Sequence, residues 1–403
     1  MRGFPTYLRT WLPRLPVLLG AGLLALACGQ IVWNASLGTA FPRLHMRVKQ
    51  VLLGQGAEQP VPPSWNNLLT GRFQQDFATN LGKLSVLRRD AVRWKTQVYY
   101  SAFGMSAWPN IVVGDNRQLF QWPYIQEFCT RDLAQFRPRA EAWVTRLRAL
   151  QDDFQRRGKR FLYLITPSKA AVYPNYLPPD FTCRSQEADR AGKLTLYRKL
   201  LDNGGVDYVD AAGRVEANKN AFDVDLFPRG GAHWNRLAAA LAAQTITAHV
   251  NQSERLLTPF EFDWRISWHP AGSDRDLYDV LNLVFRDDHY PVPELSYRSA
   301  SPPQCRPAHI VEVTGSFIFE VNEVLAQIAC RPAISAWFYW DLKHFEYPNG
   351  EQTLVPADPA RRSQDILRDA DLVILEENES VLPQSGHAEK LMQLMAGQVT
   401  AAK

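Results

Sequence analysis

The stretch AHIVEVTGSFIFEVNEVLAQIAC, residues 308–330, decides how this chain is read. His309 to Val313 alternates and is rich in β-branched residues, the pattern of a short buried strand. Val321, Val324, Leu325 and Ile328 recur at i, i+3, i+4 and i+7, the spacing of one helix face. Thr314, Gly315 and Ser316 lie between, so Ser316 occupies a tight turn from strand to helix. A hydroxyl there is lifted out at the carboxyl end of a sheet, with helix amides behind it to hold a developing oxyanion. Ser316 is therefore read as a nucleophile. Serine is also a leading helix N-cap residue, and a cap alone would account for it equally well.

On either side of this stretch, helices and strands alternate from residue 137 onward. Ala140 to Arg157 reads as an amphipathic helix closed by Gly158, and Arg160 to Thr166 as a buried strand. A proline-rich loop follows through Pro167-Ser168-Lys169 to Pro179. Asp189 to Leu201 reads as a helix, Val206 to Asp210 as a strand and Ile334 to Trp340 as another. Arg361 to Arg368 reads as a helix, Asp371 to Leu375 as a strand and His387 to Met395 as the closing helix. This alternation predicts an α/β fold, a three-layer parallel sheet with helices on both faces. In such sheets the site lies at the carboxyl ends of the strands, where Ser168, Asp210, Ser316 and Asn378 would stand.

Upstream, Leu15 to Trp33 is almost wholly apolar and long enough to span a bilayer, with Arg2, Arg9 and Arg14 before it. It reads as a signal anchor, or as a signal peptide cut after Ala25-Leu26-Ala27. Arg43, Arg47 and Lys49 follow it, so the charge contrast that sets orientation is small. Gly54 to Trp65 reads as a linker, Asn66 to Tyr100 as mostly helical, and Ile111-Val112-Val113 with Leu119-Phe120 as a hairpin. The expected organisation is a membrane-directing segment (1–33), a linker and helical extension with the hairpin (34–136), and the α/β domain (137–403).

The chain of 403 residues is 46% hydrophobic and 11% aromatic, with a net charge of +4. That supports a real core and gives no reason to propose nucleic acid. There is no Walker loop, dinucleotide fingerprint, CxxC or HExxH, so neither cofactor nor metal is expected. Beyond Cys28 in the apolar run, Cys129, Cys183, Cys305 and Cys330 suit disulfides in an oxidising compartment. Cys305 precedes the Ser316 strand and Cys330 ends its helix, so a helix running back along that strand would bring the two together.

A serine nucleophile needs a base. His233 sits in Arg229-Gly230-Gly231-Ala232-His233-Trp234-Asn235, where two glycines allow a tight bend and Asn235 can cap the alanine-rich helix from Arg236 to Val250. The acid is open: Asp210, Asp223 and Asp225 are candidates, and a Ser-His dyad is the alternative. Among the aromatics, Tyr99, Tyr100, Phe103, Trp108, Trp122, Trp264, Trp268 and Trp337 to Trp340 could stack on sugar rings, though most of them read as core.

In this set the sequence resembles the SGNH-hydrolase-like polysaccharide O-acetyltransferases of the alginate O-acetyltransferase (AlgX/AlgJ-like) type. The resemblance rests on Gly114-Asp115 with Leu119-Phe120, on Ile165-Thr166-Pro167-Ser168-Lys169 with Tyr173-Pro174 and Leu177-Pro178, on His233-Trp234, and on Gly315-Ser316-Phe317. It implies a periplasmic enzyme that moves acetyl groups onto an exopolysaccharide with a Ser-His-Asp triad, acting as an acetylesterase where water takes the acyl group; the first segment would anchor it to the inner membrane or be cleaved on secretion. It also implies a membrane-bound acyl-donor partner (MBOAT-like) rather than acetyl-CoA. His233 before Ser316 matches a circularly permuted SGNH order, which makes Asn378 the counterpart of the oxyanion asparagine; as a residue type it reads equally as a turn cap. The family pattern Asp-x-His-Trp is broken, because Gly231 stands where the aspartate would be. A catalytically inactive carbohydrate-binding or scaffold subunit of an export complex is the competing expectation.

Overall fold

The computed structural model describes residues 14–36, 41, 46, 52–53, 61–62, 64–76, 87–178, 181–301, 303–348 and 350–397. Most of the expected linker, and the basic residues on both sides of the apolar run other than Arg14, lie outside the described residues. The chain divides into two compact units, one of residues 1–103 with 279–286, the other of 104–278 with 287–403.

In the first unit, α1 (Leu15–Ala35) is long and apolar enough to cross a membrane and is almost wholly exposed. A short helix, Trp65–Leu69, is capped by Ser64, whose side chain accepts from the Asn67 amide. Helix α2 (Arg88–Phe103) holds the returning segment: the Arg93 guanidinium donates to the Asn282 and Leu283 carbonyls, and Trp94 meets Phe285 edge-on at 5.7 Å.

Among its described residues the second unit has eleven strands, β1 (Ile111–Val113), β2 (Leu119–Gln121), β3 (Arg160–Thr166), β4 (Tyr208–Asp210), β5 (Glu261–Ser267), β6 (Val292–Arg298), β7 (His309–Thr314), β8 (Ala333–Phe338), β9 (Lys343–Tyr347), β10 (Thr353–Val355) and β11 (Leu372–Asn378). Seven form the main sheet in the order β10-β9-β8-β7-β11-β3-β4. The five from β8 to β4 are parallel, as expected from the sequence; β9 and β10 add on antiparallel, so the whole sheet is mixed. The antiparallel edge follows from a tight turn at 339–342 that sends the chain straight back along β8, leaving no room for a crossover helix.

Helices cover both faces. Side chains from α6 (Arg236–Val250) and α7 (Ile318–Leu325) pack with Leu162, Leu164, Ile310, Ile374 and Ala336 on one face. Those of α3 (Leu133–Arg156), α4 (Glu187–Gly204) and α8 (Gly386–Met395) pack with Phe161, Tyr163, Ile165, Val313 and Leu375 on the other. Successive residues of β3 thus feed opposite cores, as a strand buried on both faces requires. The helices start and stop where local chemistry dictates. Asp132 caps α3 by accepting from the Ala134 and Gln135 amides, so the helix begins before the expected Ala140 and runs through Pro138. Gly205 at φ 65° closes α4. α5 (Ala211–Asn218) is capped by Asp210.

Two disulfides lie in this unit. Cys305 joins Cys330, as their positions around the strand-helix unit suggested, and Cys129 joins Cys183. Cys28, in α1, is free.

Candidate active site

Ser316 follows β7 directly. Helix α7 starts two residues later, its N-cap is Phe317, and no side chain caps it. The Ser316 hydroxyl is therefore not spent as a cap; it meets His233 Nε2 at 2.8 Å. Glu376, fully buried at the end of β11, fixes the turn by accepting from the Gly315 amide at 2.7 Å and from the Thr314 hydroxyl at 3.0 Å, while its other oxygen accepts from the Thr166 hydroxyl. Three neighbouring strand ends are thus locked through one carboxylate, with the Ser316 side chain left free to react.

His233 is held just as firmly. Its Nδ1 meets Asp276 Oδ2 at 2.5 Å. The other oxygen, Oδ1, accepts from the Ala232 and Leu277 amides, which fixes the carboxylate in place. Trp234 is fully buried, and its indole donates to the Phe317 carbonyl at 2.9 Å, tying the histidine loop to the serine turn. Asn235 caps α6 by accepting from the Ala238 amide, as read from the sequence. Burial pulls the His233 pKa down, but the Asp276 hydrogen bond and charge, with Glu320 and Glu376 behind them, outweigh it and leave the value raised above 6.5.

Asp276 was not among the sequence candidates. It stands on the excursion between β5 and β6, an antiparallel pair that the strand reading also missed. The candidates chosen instead are engaged elsewhere. Asp210 caps α5 through the Gly213 amide and pairs with Arg198. Asp225 accepts from Gln118 Nε2 at 3.0 Å and lies 3.5 Å from the Tyr176 hydroxyl. Asp223 is exposed. Asn378 is buried, its amide donates to the Pro167 carbonyl at 2.6 Å, and its carbonyl accepts from the Ser380 amide and hydroxyl. It closes the turn after β11 and stitches it to β3, which matches the turn-cap reading rather than a free oxyanion donor.

Gly231 acquires a physical explanation. A Cβ there would lie 2.4 Å from the Ser273 carbonyl oxygen and 2.8 Å from Pro228 Cγ. The segment that delivers Asp276 occupies the room an aspartate at 231 would need. Neither Gly230 nor Gly231 has a positive φ, so these glycines are there for close approach, not for an unusual bend.

The Pro167-Ser168-Lys169 segment supports the same loop from below. Lys169 is buried, and its Nζ donates to the carbonyls of Leu119, Pro228, Arg229 and Gly231. Burial pushes its pKa down to about 7, with Asp276 and Asp225 pulling the other way. The Ser168 amide donates to Glu379. Two tyrosines approach the centre, Tyr124, which the sequence did not single out, and Tyr339, which it marked only within the aromatic run 337–340. Tyr124 meets the Phe317 ring edge-on at 6.2 Å, and Tyr339 has its hydroxyl beside Ser316. A cleft of about 750 Å³, walled by Ser273, Asp274, Arg236, Tyr297, Phe319 and Glu320, opens between the excursion and α7. Among the described residues, no group of three or more His, Cys, Asp or Glu side chains is arranged to hold a metal ion.

A nucleophile-base-acid chain of this kind can form and resolve an ester at Ser316. Residues 119–302 match the family described as SGNH hydrolase-like domain, acetyltransferase AlgX, so the resemblance read from the sequence holds. The chain is 25% identical over 195 residues to the probable alginate O-acetylase AlgJ of Pseudomonas aeruginosa, an alignment covering 48% of this chain and 46% of that protein, so the chain spans about half the length of the curated relative it matches. Among solved structures, the O-acetyltransferase domain of Pseudomonas putida AlgJ aligns with a TM-score of 0.46 and 18% identity, over 72% of this chain and all 100% of that one. Pseudomonas aeruginosa AlgX aligns with a TM-score of 0.40 and 16% identity, over 75% of this chain and 70% of that one.

Proposed function

We propose, for a chain whose residues 119–302 match an AlgX-type SGNH hydrolase-like domain, that it is an O-acetyltransferase acting on hydroxyl groups of a polysaccharide outside the cytoplasm. The observation that carries this reading is the unbroken line from Ser316 Oγ through His233, 2.8 Å on one side, to Asp276, 2.5 Å on the other. His233 Nε2 takes the Ser316 proton as Oγ attacks the acyl carbonyl. Asp276 holds the ring in the tautomer that presents a free Nε2 and stabilises the imidazolium. The donor's leaving group departs with that proton, which leaves an ester on Ser316. A sugar hydroxyl then gives its proton to His233 and attacks the ester; the bond to Ser316 Oγ breaks and His233 returns the proton to that oxygen. Water competes for the same ester, so slow hydrolysis accompanies transfer. The cleft between the 271–274 segment and α7, with Arg236, Asp274 and Glu320 in its wall, offers polar groups to a hydroxyl-rich acceptor. The acyl group would reach Ser316 from a membrane-bound donor protein, with α1 keeping the catalytic unit at the membrane; the two disulfides suit that oxidising side.

The test is hydrolysis of p-nitrophenyl acetate, together with acetyl transfer to an oligosaccharide. Members of one catalytic unit are non-additive, so Ser316→Ala, His233→Ala and the double variant should each lose on the order of 10⁴-fold or more. An acetylated Ser316 peptide should be trapped by acid quench and seen by mass spectrometry. Wild-type rates in Ser316→Ala would end the enzyme reading and leave a polysaccharide-binding subunit in its place.

A further inference from the structure

The triad leaves one chemical requirement unmet. A tetrahedral intermediate on Ser316 needs donors for its oxyanion, and the usual sources are largely committed. The Gly315 amide donates to Glu376, and the Asn378 amide donates to the Pro167 carbonyl. The Ser316 N–H remains at the turn, and an oxyanion held by backbone amides is held more firmly by a side-chain donor aimed at it.

Tyr339 stands where a second donor is needed. It follows β8, whose last residue, Phe338, pairs with Thr314 at the end of β7. Its amide donates to the Thr314 carbonyl at 2.8 Å, so the Tyr339 backbone is pinned to the strand that carries the nucleophile. Its hydroxyl would lie 3.6 Å from a Cβ placed on Gly315. Tyr339 and Trp340 are both non-glycine residues at positive φ, 44° and 76°. Such conformations cost on the order of 1–3 kcal/mol each and persist only where the surroundings impose them. Here Arg362 braces the second of them: its guanidinium donates to the Trp340 carbonyl and lies 4.2 Å from the centre of the Trp340 ring. The ring of Tyr339 is aimed by Phe338, 4.4 Å between centroids, and by His387, 5.8 Å. Nearly half of Tyr339 stays exposed and so open to a substrate, while partial desolvation and the Glu376 charge raise the hydroxyl's pKa against the pull of a Ser316 hydrogen bond, so it stays a phenol and hence a donor.

We propose that Tyr339 is a further catalytic residue of this site: its hydroxyl donates to the carbonyl oxygen of the acyl group as that oxygen becomes an anion. This rests on the acyl-enzyme reading above. As the Ser316 Oγ–carbon bond forms, the carbonyl π pair moves onto oxygen and the Ser316 proton goes to His233. Tyr339 lends a hydrogen bond and keeps its own proton. When the intermediate collapses, the pair returns, the bond to the leaving oxygen breaks, and His233 supplies the proton that oxygen takes.

Tyr339→Phe in the full chain is the test, because it keeps the ring on Phe338 and His387 and removes only the hydroxyl. The expected result is a fall in kcat for p-nitrophenyl acetate of roughly 10²–10³-fold, the usual cost of one oxyanion donor, with KM near the wild-type value. Phenylboronic acid adds to a serine oxygen as a charged tetrahedral centre, and its inhibition of Tyr339→Phe should weaken by a similar factor. An unchanged kcat would overturn the proposal. So would a lower kcat with undiminished boronate inhibition, because that pattern marks a displaced turn instead of a lost donor. The two readings fail separately. If the wild-type chain shows no Ser316-dependent hydrolysis, the acyl-enzyme reading falls; if that hydrolysis is present and Tyr339→Phe leaves it intact, only the role of Tyr339 falls.

Discussion

His233 carries two opposing influences, burial that favours the neutral ring and Asp276 that favours the cation, and the second prevails. A general base must be neutral to accept a proton, so a raised pKa moves the acid limb of the rate profile upward. The kcat/KM for ester hydrolysis should therefore rise with pH through a value above 6.5 and be lost below it. Asp276→Asn removes the charge and the tautomer lock together. It should cut kcat by about 10³–10⁴-fold and bring the acid limb down, measured as a pH series on both proteins. Placing an acid beside His233 should not help. Gly231→Asp sets a Cβ 2.4 Å from the Ser273 carbonyl oxygen, so it should lose activity by pushing the Asp276 segment away.

Elements are tied together here by buried carboxylates, and Glu312 in β7 shows how. It is fully buried, and one oxygen accepts from Asn322 Nδ2 in α7 at 2.7 Å. Its other oxygen and the Asn322 carbonyl oxygen both lack a partner. A protonated carboxyl would satisfy both at once by donating to Asn322. Burial accordingly raises the Glu312 pKa to about 8. The folded chain then holds a proton that the unfolded chain releases from the ordinary carboxylate range upward. This contribution to stability is fully present below that range and is lost as pH rises through about 8. Glu312→Gln supplies the N–H permanently, so its thermal midpoint should gain on the wild type as pH is raised from 5 to 8, by calorimetry.

At the scale of the whole molecule, the second unit is closed by covalent links and the first contains a membrane-length helix. The Cys305–Cys330 bridge spans 25 residues and brackets the strand, turn and helix that carry Ser316. Replacing both cysteines by alanine should cost ~2–4 kcal/mol, read as a lower thermal midpoint that reductant no longer shifts by the same amount. The proposed location makes its own demand. Alkaline phosphatase fused after Gln50 should be active in cells, and an inactive fusion would place the catalytic unit in the cytoplasm.

Local pattern was enough for the parts of this protein that depend on short-range chemistry. Alternation in His309–Val313, the helical spacing of Val321, Val324 and Leu325, and the turn between them placed Ser316 on a strand-to-helix turn. The alternation of elements from 137 onward gave the α/β class. The glycine loop and the Asn235 cap marked out His233, and the flanking cysteines pointed to one disulfide. Asp276 was not legible, because it comes from an excursion between two half-exposed strands and reaches His233 only through folding, 43 residues along the chain. No periodicity connects residues that far apart. The role of Tyr339 was hidden for a related reason: it read as strand, whereas it stands at positive φ on the turn just past β8, with its amide on the Thr314 carbonyl. Asn378 had the right residue type and strand end, yet whether its amide faces a substrate or the Pro167 carbonyl is settled by how β11 meets β3. Residue patterns determine elements and the turns between them, whereas the partner of each buried polar group is chosen by which elements pack side by side.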